Sequence, residues 1–157
     1  MNSKKILEKI YKTISENRDE EDFEVMLVPE EESGLETTVL TTLHYGFGTE
    51  SGLAEGEFYF EDDSFVARIF LVPELKRDII PELCVLISIV NAQTQAGCFE
   101  YDSYENALAY SLKMPIVSGL SEKETEELCD RIIAVALSVS EQNCRGLMEL
   151  AMSGRGE

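Results

Sequence analysis

Basic residues are scarce in this sequence. Its 157 residues include 13 Lys and Arg against 31 Asp and Glu, a formal net charge of −18. Binding to nucleic-acid phosphates needs clustered Lys and Arg. Between positions 19 and 63 there are 15 acids and no Lys or Arg at all. Anionic membrane surfaces are disfavoured by the same deficit. Neither nucleic acid nor a membrane is therefore expected as a partner. Long hydrophobic runs are also missing: none approaches the roughly 18–20 residues of a membrane span. The start, MNSKKILEKIYKT, lacks the apolar stretch of roughly 7–15 residues found in a secretory signal. A cytoplasmic location is the expectation.

Residues that carry chemistry are equally sparse. There is one histidine, His44, and no tryptophan. The four cysteines, Cys84, Cys98, Cys129 and Cys144, form no CxxC pair, so a zinc site has little to build on. Buried thiols acting as small hydrophobes are the expectation instead. No GxxxxGK[ST] phosphate loop and no GxSxG elbow occurs. GFGTESG (Gly46 to Gly52) is one residue off a dinucleotide fingerprint and leads into a strand, not a helix. It reads as a flexible loop. No catalytic residue, metal or cofactor is expected.

What is present is pattern. Leu, Ile, Val and Phe supply 45 of the 157 residues, well above the roughly 20% below which chains tend to be disordered. Ile6, Leu7, Ile10, Tyr11 and Ile14 form one stripe at helical spacing over 4–17. FEVMLV (23–28), TTVLTTLHYGF (37–47), GEFYFED (56–62) and SFVARIFLV (64–72) read as strands, the last two joined by a turn at Asp62-Asp63. A second helix over 79–95, capped by Asp78 with Pro81 in its first turn, is apolar almost all round. CFEYD (98–102) and 107–116 read as a hairpin, with Gly97 ending the preceding helix. Ser121 and Glu124 form a capping box opening the last helix, whose buried stripe reads Leu128, Ile132, Val135, Ala136 and Val139. Gly146 ends or breaks that helix, and 153–157 read as a frayed tail. The expected fold is α+β: one domain over 1–157, with an antiparallel sheet of five or six strands and three helices, ordered α-β-β-β-(β)-α-β-β-α.

That order, with GCFEYDSYENALAYSLKMPI followed by LSEKETEEL, resembles the YbjN-like domain family, which shares a fold with the class I chaperones of bacterial type III secretion. Gly97, Cys98 and Phe99 look like the start of the family's fourth strand. Tyr110, Leu112 and Pro115 look like the end of its fifth, and Leu120, Ser121 and Glu124 like the start of its last helix. The resemblance spans about residues 1–150 and is specific over about 79–140; residues 29–56 depart from the family's shortest form. It implies no enzyme activity. It implies a small acidic dimer that holds a non-globular stretch of another protein, or a regulator.

The expected function is a non-enzymatic protein-binding module, chaperone-like or regulatory, holding a partner segment on an apolar strip or a sheet edge. Ile6, Leu7, Ile10 and Ile14 are the candidate strip, with ordinary core as the competing reading. Leu83, Leu86, Ile87 and Val90 are the candidate homodimer interface. The alternatives are an enzyme or small-ligand binder built on His44, Tyr45 and the glycine loop, or an acidic decoy for a basic protein.

Overall fold

A computed structural model describes residues 2–17 and 23–153. The tail positions 154–157 and the acidic positions 19–22 lie outside the described residues.

Helix α1 (Ser3–Asn17) starts where the Asn2 side chain accepts the Lys5 N–H at 3.1 Å, an N-terminal cap. Strand β1 (Phe23–Val28) follows, then a four-residue helical turn α2 (Glu30–Ser33) behind Pro29. Strands β2 (Val39–Tyr45), β3 (Leu53–Glu61) and β4 (Ser64–Val72) come next. The β3–β4 hairpin turns at Asp62 and Asp63, with Asp62 at φ 54°, the left-handed geometry such two-residue turns require. Asp78 lies in a 3-10 turn (Arg77–Ile79) and gives α3 (Ile80–Asn91) no side-chain cap. Pro81 stands in the first turn as expected, where no helical hydrogen bond is lost.

Strands β5 (Cys98–Asp102) and β6 (Ala107–Pro115) form a hairpin. Gly97 before it has φ 68°, and a side chain there would run into the Tyr110 ring, so only glycine fits. The capping box at the start of α4 (Glu122–Asn143) is complete. Ser121 Oγ accepts the Glu124 N–H at 3.1 Å, and Glu124 Oε1 accepts the Ser121 N–H at 3.0 Å. The chain then turns at Cys144 into a further helix, α5 (Arg145–Ser153). Gly146 lies exposed in its first turn. The buried Leu147, Met148 and Ala151 hold α5 on the core. Ser153, expected to fray, closes α5.

The six strands of the described residues are all antiparallel, ordered β1-β2-β3-β4-β6-β5. Alternation sends Leu40, Phe58, Phe65, Ile69, Leu108 and Tyr110 to one face, where α1, α3, α4 and α5 bury them in one core. Ile6 and Leu7 are 0% exposed and Ile10 is 1%. Burying each such side chain is worth about 1.5–3 kcal/mol, which is what fixes α1 to the sheet. In α4, Ile132 and Ala136 are buried as expected. Val135 is exposed, and Cys129 and Ile133 take the inward positions.

Candidate functional site

The strand residues pointing away from the helices make a second face, and strand register arranges them in rows across the sheet. One row reads Met26, Thr41, Glu57, Arg68, Ser111 and Cys98. The next reads Glu24, Leu43, Glu55, Phe70, Ala109 and Glu100. Val39, Tyr59 and Val66, packed with Val28, form a small separate cluster that closes one end of this face. Beside it a cleft of about 690 Å³ opens over β1 to β4, lined by Met26, Leu43 and Phe70 and by Glu24, Glu55 and Glu57. Glu105, from the β5–β6 turn, stands at its far side. Met26 is 63% exposed.

The charges on this face are unequally matched. Arg68 Nη2 lies 2.7 Å from Glu100 Oε1 and 2.8 Å from Asp102 Oδ2, and the guanidinium stacks 5.1 Å from the Phe70 ring centre. Burial alone would lower the Arg68 pKa, but these two carboxylates raise it, so it stays charged. Asp102 also accepts the Tyr104 and Glu105 N–H groups, at 3.0 Å each. Burial would raise its pKa; those N–H donors and Arg68 hold it low. Lys113 Nζ is 2.9 Å from Glu61. Both cations are thus committed to acids at the β5 side and the far end. At the cleft, Glu24 accepts the Tyr45 hydroxyl at 2.6 Å. Glu55, Glu57 and Glu105 take part in no ion pair among the described residues. Burial pushes the Glu57 carboxyl above its ordinary range, with Arg68 only partly offsetting it.

The two sheet edges differ. At β5, the Asn91 side chain accepts the Phe99 N–H at 2.7 Å and donates to the Phe99 carbonyl at 2.9 Å. One carboxamide from α3 thus takes the place of a neighbouring strand and plugs that edge. At β1, no strand of the described residues pairs with the side facing away from β2. Its sequence, FEVMLV, holds no proline or lysine to discourage pairing.

The predicted site residues fall elsewhere. Ile6, Leu7 and Ile10 are in the core and Ile14 is packed against it, so they form no exposed strip. A partner would have to displace α1 to reach them. On α3, Leu83 and Ile87 are buried, and Leu86 and Val90 pack half-buried against the core. The outward apolar residues are Val85 at 63% exposure and Ile89 at 55%. Of the four residues expected at a homodimer interface, Leu83 and Ile87 thus offer almost no exposed surface and Leu86 and Val90 only part of theirs.

The thiols also divide. Cys129 and Cys144 are buried, while Cys84 and Cys98 are free and exposed, contrary to expectation. His44 and Tyr45 point to opposite faces. His44 Nε2 lies 2.8 Å from Thr42 Oγ1 with the ring stacked 5.3 Å from Phe23. Burial lowers its pKa, with Glu141 pulling the other way. The glycine loop is held from α4: Glu141 accepts the Gly48 N–H at 3.2 Å, and Cys144 Sγ occupies the space a Gly48 side chain would need. Among the described residues, no group of three or more His, Cys, Asp or Glu could hold a metal ion. No helix among them is long and apolar enough to cross a membrane.

No family model matches the chain, and no curated protein matches it. YbjN from E. coli, proposed to be a transcription regulator, is similar in structure at 9% identity and a TM-score of 0.40, over 66% of this chain and 77% of that one. A chain of the ExsC–ExsE complex is similar at 14% identity and a TM-score of 0.43, over 94% of this chain and 96% of that one. Both TM-scores lie below 0.5, and neither likeness carries a role, a partner or a residue's function across to this chain.

Proposed function

We propose that this chain is a non-enzymatic protein-binding module, chaperone-like or regulatory, that holds an extended segment of a partner protein at the β1 edge and over the cleft beside it. The observation that carries this reading is the asymmetry of the sheet. One edge is capped at Phe99 by Asn91, the other pairs with no further strand of the described residues, and that second edge adjoins the apolar-floored cleft. Strand addition supplies affinity through main-chain hydrogen bonds, and pockets for alternate side chains supply choice. Self-association belongs to a different surface, the outward face of α3 at Val85 and Ile89, so a homodimer would leave the cleft open.

Capture from the lysate of the host cell, with bound proteins identified by mass spectrometry at low and high salt, tests the function. The expected result is a recurrent partner, one stretch of which resists protease while bound. A chain that retains no protein at either salt contradicts the reading.

A further inference from the structure

The charge pattern of the cleft identifies the chemistry of its occupant. Four carboxylates, Glu24, Glu55, Glu57 and Glu105, line one depression whose floor is Met26, Leu43 and Phe70. The nearest cation, Arg68, is held by Glu100 and Asp102 on the other side. An acidic peptide or a phosphate-bearing surface would add like charge to this depression. A second copy of the chain, docked face to face about a two-fold axis, would set the same carboxylates against themselves. A cationic side chain with apolar neighbours meets neither objection.

Building on the segment-holding function proposed above, we infer that the cleft selects segments bearing lysine or arginine in alternation with apolar residues. A cation in the part of the segment paired with β1 lies against Glu24, and one in the part that crosses the cleft lies against Glu55 and Glu57, which stand on β3, two strands in from the edge. The apolar side chains rest on Met26, Leu43 and Phe70. Strand geometry sets the spacing. A strand laid beside β1 turns every second side chain to this face, opposite Glu24, Met26 and Val28 in turn. The matching pattern is basic-x-apolar-x-apolar, with opposite charges and apolar groups meeting as cross-strand pairs. Glu57 supports a cation in the part of the segment that crosses the cleft: its carboxyl is half-buried and has no ion pair among the described residues, and an arriving cation supplies one.

The test is fluorescence anisotropy of the full chain with a fluorescein-labelled peptide in which lysine and valine occupy alternate positions between threonines. Two further peptides replace lysine with glutamine or glutamate. The variants are Glu55→Gln with Glu57→Gln and, as an equal-charge control on α2, Glu30→Gln with Glu31→Gln. Circular dichroism establishes that each variant is folded. The lysine peptide is expected to bind about tenfold or more tightly than the glutamine peptide. The cleft variant is expected to lose that margin and the α2 variant to keep it. Equal binding of the lysine and glutamine peptides overturns the charge selection while leaving segment-holding intact. Equal losses in both variants overturn it too, because the attraction then belongs to the whole acidic surface. A change in oligomeric state caused by the cleft variant assigns the face to a second copy and also overturns it. If no peptide binds, the inference falls, and the lysate capture decides the broader function separately.

Discussion

Cys129, Cys144 and Tyr110 lie in the core with no part in any proposed binding surface. Burial pushes all three up to about 12, from ordinary values of 9.0 for the thiols and 10.0 for the phenol. A folded pKa above the unfolded one means that the unfolded chain gives up its proton first. The stability these groups contribute is complete below pH 9 and is lost as the pH climbs toward 12. The urea midpoint is therefore expected to stay level from pH 7 to 9 and fall above it. Replacing Cys129 and Cys144 together by alanine should flatten that fall, although the variant starts from lower stability because of the cavities left. A slope unchanged by the double replacement would contradict this account. Asn91 gives a second prediction. Asn91→Ala leaves the Phe99 N–H and carbonyl without their partner, at a cost of about 1–3 kcal/mol. Chemical denaturation measures the loss, and peptide pairing at the freed β5 edge is its expected accompaniment.

Elements were legible in the sequence where the signal is local. FEVMLV and CFEYD are strands with the limits their composition implies, and Ser121 with Glu124 caps α4 as the spacing requires. The side of α3 was not legible. Apolar residues at 83, 85, 86, 87, 89 and 90 surround the axis, so periodicity has no direction to report, and only packing against the core distinguishes inside from outside. The helical stripe of α1 was legible as a stripe, but its burial depends on a sheet formed later in the chain. The α2 turn is too short for periodicity to detect. The cleft was hidden for another reason. It joins residues of β1 to β4 through strand order, and the Asn91 plug joins α3 to β5, and neither relation leaves a mark on neighbouring residues. The exposed pair on α3 gives this scale its prediction. Val85→Glu with Ile89→Glu should convert a dimer to a monomer of similar thermal stability in sedimentation experiments, since both side chains stand outside the core. A wild-type chain that is already monomeric, or a variant dimer of undiminished affinity, would contradict the assignment.

For the whole molecule, charge and sheet architecture act together. A net charge of −18 favours encounter with basic proteins and discourages unselective self-association. The fold concentrates α1, α3, α4 and α5 on one face of the sheet and leaves the cleft on the other, so core and candidate binding surface are separated by one layer of strands. A partner could then bind without disturbing the packing that stabilises the chain. The most direct measurement is amide hydrogen exchange of the chain, free and bound to the partner captured from the lysate. The account predicts slowed exchange in β1, between Glu24 and Val28, where amides facing away from β2 gain a strand, with α1 and α4 little changed. Protection confined to the helical face, with β1 exchanging as in the free chain, would contradict it.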